Sequence, residues 1–113
     1  MGTLIITGAA GWLGKALMAR FCSAGIEDYS KILAIVKNKE EECEVKKLSS
    51  NANVQTVICD LSDAIACESA LTFDPDSHLI HAAGVIHPRK VADFYHVNVN
   101  GTRNILNAAR VNG

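Results

Sequence analysis

Three glycines, Gly8, Gly11 and Gly14, are spaced to do chemistry, and that chemistry is the capture of an anion. They follow the apolar run Leu4-Ile5-Ile6 and precede apolar residues at helical spacing, so they form the turn between a strand and a helix. Each glycine has a task in that setting. Gly8 allows a sharp turn. Gly11 lacks the Cβ that would hold a diphosphate away from the main chain. Gly14 lets the helix pack closely on the strand. The helix start then presents free N–H groups and a partial positive charge. The competing reading is a strand–helix turn that is glycine-rich for packing alone.

The elements that must position this turn are legible from periodicity. Leu13, Ala16, Leu17, Phe21 and Ala24 recur at helical spacing, with Gly25 at the C-terminal cap. Ile32 to Val36 is a second buried strand. The charged stretch 39–50 reads as a short, poorly buried helix and a loop, with Val45 and Leu48 its only large apolar side chains. Val54 to Cys59 is a third strand. Ser62 or Asp63 can cap a short helix that runs to Ala70, and Asp74-Pro75-Asp76 is a turn. His78 to His81 is a fourth strand, running into Ala82-Ala83-Gly84. A long final helix carries apolar residues from Val91 to Ala109, with a kink expected near Gly101. Strand–helix alternation of this kind implies an α/β fold: a doubly wound parallel sheet of about four strands in three layers, helices on both faces.

The turn is G-x-x-G-x-x-G rather than G-x-G-x-x-G. With Thr7 before it, it resembles the Thr-Gly-x-x-Gly-x-x-Gly turn of the extended short-chain dehydrogenases/reductases, the NAD-dependent epimerase/dehydratase family. Three later stretches extend the resemblance across residues 3–109: Asp60-Leu61 after the third strand, His81-Ala82-Ala83-Gly84 at the end of the fourth, and Asn98-Val99-Asn100-Gly101-Thr102-Arg103-Asn104. The resemblance implies a Rossmann-type NAD(P)-binding domain over 1–113. It implies that Asp60 and the next N–H read an adenine edge, and that Ala82, Ala83 and Gly84 lie against the nucleotide. Asn98 would support a helix distortion and a water path. With Lys37 added, the cofactor-binding set is Gly8, Ala10, Gly11, Trp12, Leu13, Gly14, Lys37, Asp60, Leu61, Ala82, Ala83, Gly84 and Asn98. The side chains of Trp12 and Leu13 are expected to pack, and Lys15 to be solvated. Asp60 has a plainer alternative as the cap of the next helix, Ala82 to Gly84 as packing residues, and Asn98 as a surface amide.

The choice between NAD and NADP turns on the end of the second strand. An acidic residue there would bond the ribose hydroxyls of NAD, yet the strand ends Val36-Lys37-Asn38-Lys39. Lys37 or Lys39 facing a 2′-phosphate favours NADP. The alternatives are two solvated lysines, or Glu40 bending back to a ribose.

The family's reacting pair, Tyr-x-x-x-Lys, does not occur: Leu33 and Val99 stand four residues after Tyr29 and Tyr95. No catalytic residue is therefore assigned. The domain is expected to be incomplete at its C-terminal side, in the nucleotide-binding front of a longer enzyme, and its last strand, Leu79-Ile80, to need a covering partner. The resemblance implies hydride transfer on a nucleotide-sugar. A ketone or aldehyde reductase and a non-catalytic NADP-binding sensor or scaffold are the alternatives. It also implies a homodimer through the final helix.

Composition narrows the classes further. Apolar residues make up 49% of the 113-residue chain, charged residues 20%, and the formal net charge is −1, which fits one soluble globular domain and gives nucleic acid no basic stripe. The lysines near 37–47 alternate with Glu40, Glu41, Glu42 and Glu44, which disfavours a membrane surface. No apolar run approaches the ~20 residues of a bilayer span. Cys22, Cys43, Cys59 and Cys67 match no metal spacing and read as free thiols in a reducing cytoplasm. His78, His81, His87 and His96 give no metal set either, and His81 is expected to pack or to hydrogen-bond. Arg89 and Lys90 are candidates for a substrate phosphate.

Overall fold

The computed structural model describes residues 2–24, 29–48, 53–70, 76–83 and 98–112. Gly25, Gly84, His87, Pro88, Arg89, Lys90, Tyr95 and His96 lie outside them. The strands are β1 (Gly2–Thr7), β2 (Tyr29–Val36), β3 (Val54–Ile58) and β4 (His78–His81). The helices are α1 (Trp12–Ala24), α2 (Lys39–Leu48), α3 (Ala64–Ala70) and α4 (Gly101–Asn112), the last entered through a π turn at residues 98–100.

All strand pairs are parallel, in the order β3-β2-β1-β4. The order follows from chain economy. Two right-handed crossovers carry the chain outward from β1 through β2 to β3, and the next returns it across the sheet to the other side of β1. The first two helices therefore cover one face and the later two the other. Leu4, Ile6, Ile32, Ala34 and Val36 meet Met18 of α1 and Val45 of α2. Ile5, Leu33 and Ile35 meet Cys67 of α3 and Ile105 and Ala108 of α4. Burial on both faces explains why β1 and β2 read as unbroken apolar runs.

Two expectations are corrected. The buried stripe of α1 is not the one that includes Leu13 and Ala16, both of which are exposed. It is centred on Gly14 and Met18, with Phe21 packed at its edge. The reason is the Gly14 contact described below, which sets the rotation of the helix on the sheet. β2 also begins three residues earlier than its apolar run, because Tyr29 pairs with Gly2 and Lys31 with Thr3.

Candidate nucleotide-binding site

The chain reverses its direction across the sheet between β1 and β4, and in open parallel sheets ligands bind at such a switch point, beyond the carboxyl ends of the strands. A cleft of about 260 Å³ lies there. The turn after β1 lines it with Gly8 and Gly11, and β2 and its end with Ile35, Val36 and Lys37. The segment after β3 adds Cys59, Asp60, Leu61 and Ser62, and the end of β4 adds Ala82 and Ala83.

The three glycines differ in what surrounds them. Gly8 has φ +64°, the left-handed region that costs a side chain about 1–2 kcal/mol. A Cβ on it would also lie 2.7 Å from the Ala83 nitrogen. A Cβ on Gly14 would collide with the Gly8 carbonyl and Ala9. A Cβ on Gly11 would meet only the Gly8 oxygen, at 3.2 Å, and otherwise point into open space. Two glycines thus close the turn against the protein, and the third leaves main chain bare at the cleft. This arrangement fits a diphosphate.

The first closed turn of α1 is the bond from Lys15 N to Gly11 O, at 2.8 Å. The amides of Trp12, Leu13 and Gly14 precede it, in the part of a helix that cannot bond its own N–H groups internally. The packing expected of the Trp12 and Leu13 side chains does not occur: they are 90% and 51% exposed. Once Gly14 faces the turn, residues 12 and 13 point away from the sheet. Ala10 is buried beneath the turn, off the cleft wall. Lys15 is half exposed and pairs with Glu44 at 2.9 Å.

Beyond β3, Asp60 Oδ1 accepts from Ser62 N at 3.0 Å and from Ser62 Oγ at 2.7 Å. Asp63, not Asp60, caps α3, accepting from Ala66 N at 3.1 Å. Asp60 therefore shapes the bend itself. Leu61 is buried, and its carbonyl accepts from Asn104 Nδ2 of α4 at 2.8 Å. Asn98 stands in the π turn that enters α4, a distortion beside the expected kink.

At the end of β2, Lys37 lines the cleft with its side chain 70% exposed. Glu41 lines it too, while the acid weighed from sequence, Glu40, does not. Asn38 Oδ1 accepts from Glu41 N at 2.9 Å, and Glu41 Oε1 accepts from Lys37 N at 3.0 Å. The Asn38-x-x-Glu41 capping pattern could have drawn attention to Glu41. Cys59 was missed as well. Its thiol donates to Cys67 Sγ at 3.7 Å in the core beside the cleft, and burial raises both pKa values, that of Cys67 to about 12. Periodicity could not bring these two together. Among the described residues no group of three or more His, Cys, Asp or Glu is placed to hold a metal.

Known proteins with related chains share this frame. The probable dTDP-glucose 4,6-dehydratase of Sinorhizobium fredii is 32% identical over 114 residues, covering 95% of this chain and 31% of its own length. The UDP-glucose 4-epimerase of Rickettsia rickettsii is 29% identical over 113 residues, covering 95% and 32%. Among solved structures, a variant uronate dehydrogenase from Agrobacterium tumefaciens complexed with NAD superimposes with a TM-score of 0.71 at 23% identity, over 100% of this chain and 38% of that one. The chain spans about a third of the length of these relatives. The model of the NAD dependent epimerase/dehydratase family matches residues 4–113, and the chain belongs to that family.

Proposed function

We propose that residues 1–113 form the nucleotide-binding part of an NAD(P)-dependent oxidoreductase or epimerase acting on a nucleotide-sugar. The observation that carries the reading is the bare main chain at Gly11, open to a cleft that gathers the ends of all four strands. A diphosphate would lie over the start of α1. The adenine would lie between Lys37 and Asp60-Leu61, and the nicotinamide towards Ala82 and Ala83. The bound nicotinamide supplies hydride transfer; the residues of this chain bind and orient it. The sugar-nucleotide substrate is supported by the named activities of the two relatives, which concern dTDP-glucose and UDP-glucose.

NADP is the favoured form, because the Lys37 side chain lines the cleft and is 70% exposed, its ammonium paired only at 3.9 Å with the Glu41 carboxylate that shares that wall. Fluorescence titration of the chain with NADP and NAD tests both points. The expected result is tighter binding of NADP, with Lys37→Asp weakening NADP by on the order of tenfold or more, the scale of one charged hydrogen bond. Failure to bind either nucleotide rejects the site, and an unchanged preference in Lys37→Asp rejects the assignment of Lys37.

The proposed homodimer would use the outer side of α4 and of the π turn that enters it, where Leu106 and Val99 are exposed seven residues apart. Sedimentation of the wild type against Leu106→Glu tests it. A cytoplasmic location is proposed with the family reading. Among the described residues no helix is long and apolar enough to cross a membrane.

A further inference from the structure

A directed chain of hydrogen bonds joins the glycine turn to the π turn, and His81 is its centre. Thr7 and His81 are register partners on β1 and β4. Thr7 Oγ1 lies 2.6 Å from His81 Nδ1, and His81 Nε2 lies 2.9 Å from Thr102 Oγ1. The two ends decide which way each proton points. Thr102 Oγ1 donates its one hydrogen to the Asn98 carbonyl at 2.7 Å, so it can only accept from His81, and Nε2 must carry hydrogen. With that hydrogen on Nε2, a neutral ring has Nδ1 bare, so the Thr7 hydroxyl donates to Nδ1 while it accepts from the Ala83 amide at 3.2 Å. One neutral tautomer satisfies every atom.

We propose that His81, held as the neutral Nε2–H tautomer, is a positioning residue that locks the end of β1 and the Gly8 turn to the π turn at Asn98, so that protonating it weakens dinucleotide binding. The proposal rests on the nucleotide-site reading given above. An imidazolium would have a hydrogen on Nδ1 facing the Thr7 hydroxyl, and the Thr7 hydrogen would lose its acceptor. Among the described residues no carboxylate bonds the ring. Among the described residues, β1 has no ionisable side chain, His78 of β4 bonds Tyr29, and Arg103 and Arg110 are on the exposed side of α4. Burial lowers the His81 pKa from its ordinary 6.5, in keeping with a ring kept neutral.

The test combines imidazole ¹⁵N NMR of the full chain with titrations of NADP and NAD between pH 8 and pH 5. The expected spectrum shows Nε2 protonated and Nδ1 bare at pH 8. Affinity should fall below the His81 pKa by up to tenfold per pH unit, the limit for one linked proton. His81→Gln, which keeps an amide donor towards Thr102, should bind at pH 8 and lose most of that dependence. His81→Phe should bind weakly at every pH, and thermal melts report whether it folds. A hydrogen on Nδ1 at pH 8, or the same acid-side loss of affinity in His81→Gln, overturns the proposal. Absence of binding at pH 8 with the expected tautomer present overturns the site reading, and the positioning role falls with it.

Discussion

Gly14 of α1 lies so close against Gly8 that a Cβ on Gly14 would strike the Gly8 carbonyl oxygen. The contact has two consequences. It seats the first turn of the helix directly on the end of β1, which aims the helix start at the cleft. It also sets the rotation of α1, turning Met18 into the core and Trp12 and Leu13 outward.

Gly14→Ala and Gly11→Ala should therefore fail in different ways. The first must displace backbone and should cost about 1–3 kcal/mol of stability, as overpacking does. The second meets a single atom at 3.2 Å and should be near neutral for folding, yet weaken NADP at least tenfold by blocking the diphosphate. Urea denaturation and nucleotide titration on the same two variants separate the effects.

The two aspartates after β3 should also separate. Asp63→Ala removes the cap of α3 and should cost about 1 kcal/mol, with nucleotide affinity unchanged. Asp60→Ala removes the carboxylate that organises Ser62 at the cleft wall and should weaken NADP binding several-fold. Equal losses of affinity in both variants would remove Asp60 from the site.

Asn104 joins α4 to the cleft through the Leu61 carbonyl. Asn104→Ala leaves that buried acceptor only the weak Cys67 thiol donor at 3.7 Å, at a cost of about 1–2 kcal/mol. Hydrogen exchange should show faster opening of the Leu61 segment than of β1. A melting temperature and exchange pattern matching wild type would contradict the role.

The thiols should sort by burial. Of the three cysteines whose side chains are described, Cys43 is exposed and Cys59 and Cys67 are buried, so in a Cys22→Ser background iodoacetamide should label Cys43 first and the other two only with unfolding. The pH effect has a definite sign. The folded chain holds the Cys67 proton to about 12, whereas an unperturbed thiol releases it near 9.0. Its contribution is present below pH 9.0 and is lost as pH rises towards 12. Denaturation midpoints should fall over that interval, and less steeply in Cys67→Ala.

The amino-acid sequence by itself determined what is local. The apolar runs at 4–6 and 32–36 are long enough to mark buried strands, and Gly8, Gly11 and Gly14, spaced between the first run and a helical pattern, mark a strand–helix turn. Asp63 could be read as a cap because a cap bonds an amide three residues on. Strand–helix alternation then restricts the topology, since right-handed crossovers leave few ways to lay four strands side by side.

Only the tertiary structure decided the relationships between residues far apart in the chain. Met18 rather than Leu13 faces the core because of Gly14's neighbour, which periodicity does not contain. His81 meets Thr7 and Thr102 because β4 pairs with β1 in one register, and a slip of one residue would turn its side chain to the opposite face. Cys59 reaches Cys67, and Asn104 reaches Leu61, because α3 and α4 are pressed on the same face of the sheet. Those contacts depend on how whole elements are stacked, and side-chain order along a single strand or helix carries no record of its neighbour.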